Sequence, residues 1–377
     1  MHNNPFLQPI TPAAETDPVQ NQDLIRALLG DETAQEFAGL VSDQPKTTRQ
    51  PRPNLKALSD AALAAQPDLL AASAERQAER FFTNELPIQF NQQIKSLLET
   101  GFLVKNETGE IGTAGIDNKF YQAPALEQVA VYFTAPERKD FVNRKVIEGF
   151  TRVLITPFAA SMSSFENRTR NNIREHGTGK DPSKKLLLDG ERIEFDESSA
   201  LVYVAEPFRG ADRTGAMQYF VGTSKSVGES GVFKTKAEII ADTIQPFPGF
   251  RIQLLKDSAT NSQKKNEASS GGEDFSDFIK GMQDPNSTYF GEHGLTPEDW
   301  FVLFNTTLHE TNEVIHVREN DQSRYDGTLL TDCKASMGGF LMIPRACWHM
   351  DRVEAQIDVA DGKLSSLSID QITRAIS

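Results

Sequence analysis

The segment of residues 295–350 constrains the fold more than any other stretch, because it opens on a well-marked helix start. Thr296 is placed to cap this helix, since a threonine hydroxyl can accept a hydrogen bond from a backbone N–H of the first turn. Pro297 follows at the first helical position, where the missing N–H of proline costs nothing. These signals predict a helix that begins here and runs to about Arg318.

One side of the predicted helix is apolar and should pack on a core. The opposite side carries His309, Glu313 and His316, which a spacing of 100° per residue places within about 60° of one another. Imidazole and carboxylate ligands on one face can bind zinc or iron. Because the spacing differs from His-Glu-x-x-His, we favour a solvated polar face, or a face that meets another part of the chain, over a metal site, which stays as the alternative.

Cys347 and His349 form a second candidate, as a thiol nucleophile and its base. In a strand the two side chains would point the same way. A nucleophilic cysteine needs a nearby base and a lowered pKa, but no surrounding motif supports that chemistry here. A small buried hydrophobic residue is the more common state of a free cysteine, so we prefer it to catalysis.

A basic run is the third candidate, for contact with phosphate or nucleic acid. It does not match a phosphate-binding loop, because Arg174 and Asp181 stand where the motif requires Gly and Ser or Thr. A solvated helix face followed by a loop is the favoured interpretation. The basic residues of this run are Arg168, Arg170, Arg174, Lys180, Lys184 and Lys185.

Composition narrows the classes of function. The chain has 39 basic and 53 acidic residues and a formal net charge of -14, which argues against non-specific binding to nucleic acid or to an anionic membrane. No apolar run approaches the roughly 20 residues that span a bilayer. With only two cysteines, whose pairing the sequence leaves open, a reducing compartment is the simpler interpretation. We therefore expect a soluble cytoplasmic protein.

The domain organisation follows shifts in composition. Residues 1–53 are polar and acidic and predict a disordered tail, and residues 54–86 are Ala-rich and favour helix. Residues 257–274 are of low complexity and predict an insertion or linker. This run separates a front part, 87–256, from a back part, 275–377. One globular domain is preferred to two lobes, because the back part alone has little core.

The patterns predict an α+β fold of mixed helices and short strands. The periodicity predicts helices over residues 88–100, 136–150, 162–176 and 236–244 and strands over 128–134, 152–156, 250–255 and 353–359, the last one half-exposed. A hairpin is expected on the Asp-Gly turn at 189–190.

No complete catalytic motif is present, so the leading functional hypothesis is an interaction protein without enzymatic activity. Its partner would be a protein that contacts the tail of residues 1–53. The alternative is a metal-dependent or cysteine-dependent hydrolase centred on His309, His316, Cys347 and His349. A third hypothesis is phosphate or nucleic-acid contact through the basic run. The sequence indicates no particular cofactor.

Overall fold

The computed structural model describes most of the chain beyond residue 74, and these residues lie in one compact unit that spans 67–377. The predicted tail 1–53 and insertion 257–274 lie outside the described residues, as does most of segment 54–86. The described ranges are 75–178, 180–196, 198–210, 216–220, 233–242, 245–256, 280–282, 284–318, 327–337, 340–360 and 372–377.

The main helices confirm most of the predicted ones, within a few residues at each end. A π-helical turn at Phe81–Glu85 leads into the first of them. No helix of the described ranges is both long enough and apolar enough to cross a membrane. These helices are α1 (Leu86–Glu99), α2 (Leu126–Thr134), α3 (Pro136–Ile147), α4 (Met162–Gly177), α5 (Lys236–Ala241) and α6 (Pro297–Thr311).

The strands are short and confirm the α+β class. They are β1 (Val104–Lys105), β2 (Ile111–Ala114), β3 (Phe120–Gln122), β4 (Phe150–Thr156), β5 (Leu187–Leu188), β6 (Glu191–Arg192), β7 (Val202–Val204), β8 (Met217–Phe220), β9 (Phe233–Lys234), β10 (Arg251–Lys256), β11 (Val317–Arg318), β12 (Thr328–Leu329), β13 (Cys333–Met337), β14 (Phe340–Met342), β15 (Pro344–His349), β16 (Glu354–Val359) and β17 (Ala375–Ile376).

The strands pair into several small sheets. Two antiparallel sheets have the orders β17-β10-β4 and β14-β13-β8-β9, and a mixed sheet has the order β11-β15-β16-β7 with β12 also paired to β15. The strands β1 to β3 form a meander, and β5 and β6 form the predicted hairpin. The main hydrophobic core draws on residues from both sides of the 257–274 insertion, including Phe150 and Trp300. One globular region is therefore formed from the front and back parts together.

The prediction of a strand over residues 128–134 is wrong, because this segment forms helix α2. The side chain of Gln128 bonds the backbone N–H of Ala125 at 2.9 Å and so helps to begin the helix. Val129 and Phe133, four residues apart, are both fully buried, which is the spacing of one helix face. Packing of this face outweighs the strand preference of the Val-Ala-Val-Tyr-Phe run.

Helix α6 begins where the sequence predicts but ends earlier and lies deeper. Its N-cap threonine, Thr296, accepts a hydrogen bond from the backbone N–H of Asp299 at 3.2 Å. The helix ends at Thr311, where Asn312 adopts a left-handed conformation. It packs against α1, α4, β4 and β15, and every residue from Pro297 to Leu308 is buried. The expected solvated side is therefore absent along most of this helix.

Strand β16 is also more buried than predicted. Its alternating pattern suggested one solvated face, yet Glu354 and Gln356 are buried. The strand pairs antiparallel with β15 on one side and parallel with β7 on the other. As a central strand it has no free edge, and side chains on both of its faces are buried over residues 354–357, which a pattern of alternate polar residues could not indicate.

Candidate functional site

The first turn of helix α6 carries two acidic residues into the interior. Glu298 and Asp299 are both fully buried, whereas an acidic first turn on a surface helix would lie in water. Asp299 Oδ2 accepts hydrogen bonds from the backbone N–H and the hydroxyl of Thr296, at 3.0 and 2.9 Å. Buried carboxylates need such partners to offset lost hydration.

Glu298 is neutralised by a lysine from another element. Lys236 Nζ, at the start of α5, lies 2.6 Å from Glu298 Oε1, and both side chains are completely buried. Tyr219 of β8 donates its hydroxyl to the same oxygen at 2.6 Å. Lys236 also donates to the carbonyl oxygen of Ala160 at 2.9 Å. This pair thus joins α5, β8 and α6 inside the protein.

Arg251, the first residue of β10, connects Asp299 to a third acidic residue, Asp332. Its Nε lies 3.4 Å from Asp299 Oδ2, and its Nη2 donates to Asp332 Oδ2. Burial alone would lower the pKa of the Arg251 guanidinium, but the carboxylates of Asp299 and Asp332 outweigh this and raise that pKa. Arg251 is therefore a permanent cation held between two carboxylates.

His293 lies on the other side of Asp332. Its Nδ1 is 3.7 Å from Asp332 Oδ2 and 2.8 Å from the carbonyl oxygen of Gly294. A carbonyl oxygen only accepts, so Nδ1 carries a proton and donates to it. The backbone of His293 is fixed by two hydrogen bonds of 2.9 Å with Ala375 at the edge of β17. The ring therefore has a defined position beside Asp332.

Glu292, next to this histidine, is held in a second ionic cluster. Lys145 of α3 donates to Glu292 Oε1 at 2.7 Å. Arg374 donates to both oxygens of the carboxylate, at 2.5 and 2.7 Å. Glu148 also lies 2.7 Å from Lys145. The carboxylate of Glu292 is thus fully engaged with cations of the protein.

A cleft of about 840 Å³ opens above these two clusters. Arg251, Glu292, His293, Thr331 and Asp332 line its polar part. Helices α2 and α3, residues 245–252 and residues 290–294 supply most of its walls. Its aromatic lining residues are Tyr132, Phe141, Phe158, Phe220, Phe247, Phe250 and Phe290.

Three buried polar atoms of residues that line this cleft have no hydrogen-bond partner among the described residues. They are the Nε of Arg251, the Nε2 of His293 and the hydroxyl oxygen of Thr331. Leaving such a group unpaired costs about 1–3 kcal/mol, and in most folded proteins each one is paired with protein, water or ligand. A mostly apolar cleft with a few polar groups at one place is the usual form of a small-molecule site.

The three residues of the predicted metal site are separated in the structure, because α6 ends before two of them. His309 Nε2 lies 2.7 Å from Glu99 of α1. Glu313 accepts from the backbone N–H of Gly190 at 3.0 Å. His316 is buried and accepts from Trp300 Nε1 at 3.0 Å. No group of three or more metal-ligating side chains occurs within the described ranges, and the shared helix face on which this prediction depended is absent.

Cys347 and His349 both lie in strand β15, and both are buried. Burial raises the pKa of the Cys347 thiol to about 12, whereas a nucleophilic cysteine has a lowered pKa. The backbone register places Cys347 opposite Gln356 and His349 opposite Glu354. Neither residue lines the aromatic cleft. These features match the small buried hydrophobic residue that the sequence favoured.

The predicted basic run does not present one cationic surface. Arg168 lies with its guanidinium 5.8 Å from the ring centre of Phe102, and burial lowers its pKa. Arg170 donates to the carbonyl oxygen of Ala200, and Lys184 pairs with Glu175 at 2.7 Å. Arg174, Lys180 and Lys185 are exposed. Half of the run is therefore engaged within the protein.

The cleft and the buried ionic cluster beside it were not predicted from the sequence. Arg251 gave a usable signal, since a charged residue at the start of an apolar strand needs a buried partner or a surface position. Glu298 and Asp299 stand in the capped first turn of α6, where acidic residues favour the helix dipole, and this local role gives no sign that they are buried. Lys236, His293 and Asp332 have no local pattern that distinguishes them, because only the fold brings them together.

Comparisons of this chain with protein-family models, with curated proteins and with solved structures gave no match.

Proposed function

We propose that this chain binds a small organic molecule, with a mainly apolar body and a polar end, in the aromatic cleft beside His293. The observation that carries the proposal is the position of the unpartnered polar atoms of Arg251, His293 and Thr331 at the buried polar part of a cleft that has seven aromatic residues in its lining. A ligand with a polar end there would satisfy groups that the described protein atoms leave unpaired.

The buried ionic pairs support this proposal because they make the polar part rigid. Lys236 with Glu298 and Arg251 with Asp332 tie α5, α6, β10 and the residue before β13 together. Binding groups held in place by surrounding contacts lose little conformational freedom when a ligand arrives. A prearranged polar end and a wide aromatic wall are the two features that a specific small-molecule site requires.

Binding can be tested with Nile red, an uncharged dye whose emission rises and shifts to the blue in an apolar site. We expect saturable binding of about one dye per chain to the native protein. Phe141→Ala and Phe290→Ala remove half-buried aromatic walls of the cleft and should each weaken binding by about tenfold, since loss of a buried aromatic contact commonly costs more than 1 kcal/mol. The matched control is Phe195→Ala, a half-buried phenylalanine outside the cleft.

The proposal fails if Nile red does not bind, or if the control variant weakens binding as much as the two cleft variants. Circular dichroism and thermal unfolding of each variant separate loss of the cleft from loss of the fold. An uncharged dye is chosen so that this test addresses only the cleft and not the charge of its natural ligand.

An interaction with a partner protein through residues 1–53 stays a second proposal, supported by composition alone, because those residues lie outside the described ranges. Pull-down with the full chain and with a chain lacking residues 1–53 tests it, and equal capture by both would contradict it.

A cytoplasmic location is also proposed for this protein. Its support is that both Cys333 and Cys347 are free thiols in the structure, which suits a reducing compartment.

A further inference from the structure

We infer that the natural ligand of the cleft ends in an uncharged hydroxyl group, as a phenol does, and that this hydroxyl bonds to His293 and Thr331. This inference rests on the proposed function and adds the chemical class of the ligand's polar end. It follows from what the buried polar part of the cleft leaves unsatisfied, which is hydrogen bonds and not charge.

The buried acidic residues that line the cleft already have cations beside them. Glu292 receives hydrogen bonds from Lys145 and Arg374, and Asp332 receives one from Arg251. A cationic ligand would have to compete with these fixed cations for the same carboxylate oxygens. Because breaking a buried ion pair leaves an uncompensated charge, this part of the cleft disfavours a cation.

The half-buried arginine of the cleft is likewise occupied. Arg138 donates to an oxygen of Ser377, which lines the same cleft and carries the carboxylate of the last residue of the chain. The other charged residues of α3 that line the cleft are Glu137, Asp140 and Arg144, and all three are exposed, where water and salt screen their charges. An anionic ligand group therefore finds no buried cation without a partner.

His293 offers one ring nitrogen to a ligand. Its Nδ1 atom donates to the carbonyl oxygen of Gly294 at 2.8 Å and so carries a proton. When the ring is uncharged, its Nε2 atom is then a hydrogen-bond acceptor, and this atom is buried without a partner. Two hydrogen bonds between the backbones of His293 and Ala375 hold the residue in place. A ligand atom that carries a proton is required here.

The hydroxyl of Thr331 lies next to the glycine that follows this histidine. A Cβ atom built on Gly294 would lie 2.1 Å from Thr331 Oγ1, so the hydroxyl occupies the space beside the Gly294 backbone. The next residues along both segments are also joined, because the backbone N–H of Asp332 donates to the carbonyl oxygen of Leu295 at 3.3 Å. Thr331 is 4% exposed, and its Oγ1 has no partner. Two unsatisfied groups therefore border one small region of the cleft.

A hydroxyl group matches these two residues better than other polar groups do. It can donate its proton to His293 Nε2 and accept a hydrogen bond from the Thr331 hydroxyl. A ketone or ether oxygen only accepts and would leave Nε2 unpaired. The third unpartnered atom, Nε of Arg251, lies 3.4 Å from the Asp299 carboxylate, so it is not assigned to the ligand.

The aromatic walls define the rest of the ligand. Phe247 packs edge-on against Tyr132 with ring centres 5.0 Å apart, and Phe141 and Phe290 meet at 6.5 Å. Rings that make edge contacts with one another present further faces and edges to a flat guest, and both arrangements are favoured for aromatic pairs. A bicyclic phenol has both required features and serves as a probe.

The test compares four molecules with one ring system and different polar ends: 2-naphthol, 2-methoxynaphthalene, 2-naphthoate and 2-naphthylmethylammonium. Calorimetric titration of the full chain at neutral pH, where a phenol is uncharged, should give the tightest binding for 2-naphthol. The methyl ether cannot donate to His293 Nε2, and each ion would enter a site whose buried charges are paired, so each should bind about tenfold more weakly. His293→Phe should lower the affinity for 2-naphthol to that for the ether.

Thr331→Val removes the second contact with little change of shape. It should weaken 2-naphthol binding by about threefold to tenfold, and the melting temperature should stay unchanged or rise, because a buried hydroxyl without a partner does not stabilise the fold. Thr113→Val is the matched control. Thr113 is also buried with an unpartnered hydroxyl but lies outside the cleft, so its substitution should leave 2-naphthol binding unchanged.

Three results overturn the inference while Nile red binding keeps the cleft proposal intact. They are ether binding as tight as that of 2-naphthol, tighter binding of either ion, and a 2-naphthol affinity that Thr331→Val leaves unchanged or that Thr113→Val lowers equally. No binding of any of the four probes has the same meaning if Nile red binds, and overturns both proposals if it does not. If His293→Phe does not fold, the comparison of the two threonine variants decides the question.

Discussion

Lys236 Nζ and Glu298 Oε1 lie 2.6 Å apart in the interior, with both side chains completely buried. The pair joins the start of helix α5 to the first turn of helix α6, beside the polar part of the cleft. The pair links two helices, and loss of either member should destabilise the folded protein, because the remaining charge cannot reach water.

Replacing Lys236 with methionine should therefore destabilise the protein strongly. The Glu298 carboxylate would retain only the Tyr219 hydroxyl as a polar partner on Oε1, and breaking a buried pair from one side costs about 3–5 kcal/mol. The free energy of unfolding in urea measures the effect. The double variant Lys236→Met with Glu298→Leu should recover much of the loss, since an apolar pair of similar volume is often tolerated. A single variant within about 1 kcal/mol of the parent would contradict the prediction.

His316→Leu should destabilise the protein, although His316 and His309 do not lie on one helix face. His316 Nδ1 accepts from Trp300 Nε1 at 3.0 Å, and its Nε2 lies 3.1 Å from the hydroxyl of Thr373. Loss of the ring leaves the buried indole N–H unpaired, which costs about 1–3 kcal/mol. His309→Leu, which removes only a partly exposed contact with Glu99, should cost less than about 1 kcal/mol. Urea unfolding of both variants gives the comparison, and a larger loss for His309→Leu would contradict it.

The two cysteines should be unreactive in the native protein. Burial raises the pKa of Cys347 to about 12 and that of Cys333 well above its usual value, so at neutral pH almost no thiolate is present, and the thiolate is the reactive form. Reaction with Ellman's reagent should be negligible until urea unfolds the chain, after which two thiols per chain should react. One thiol that reacts rapidly in the folded state would restore the cysteine-dependent hydrolase hypothesis.

Stability should fall as the pH falls below about 6.5. His176 is buried with Nδ1 2.9 Å from the carbonyl oxygen of Asn172, and burial lowers the pKa of its imidazole below the ordinary value of 6.5. The unfolded chain then binds a proton at a higher pH than the folded chain, so the free energy of unfolding decreases as pH falls from 6.5 to the folded pKa. Urea unfolding at a series of pH values measures this slope, and His176→Gln should make it shallower. An unchanged slope in that variant would assign the effect to other groups.

The elements with strong local signals were predictable from the sequence. Thr296 and Pro297 marked the start of α6, and the apolar spacing in residues 88–100 and 162–176 marked α1 and α4. Errors arose where tertiary packing overrides a local preference. Helix α2 has the composition of a strand, and it is helical because Val129 and Phe133 pack together on the core. The early end of α6 at Thr311 separates His309 from Glu313 and His316. The predicted metal site loses its basis, which was one shared helix face.

The sequence by itself determined the α+β class, the acidic character of the chain and the capped start of its central helix, because each depends on residues close together in the chain. Only the tertiary structure decided the depth of α6 and the identity of the cleft. The residues concerned come from separate parts of the chain: Lys236, Arg251, His293, Glu298 and Asp332. They depend on one another for partners only because the fold buries them and removes water.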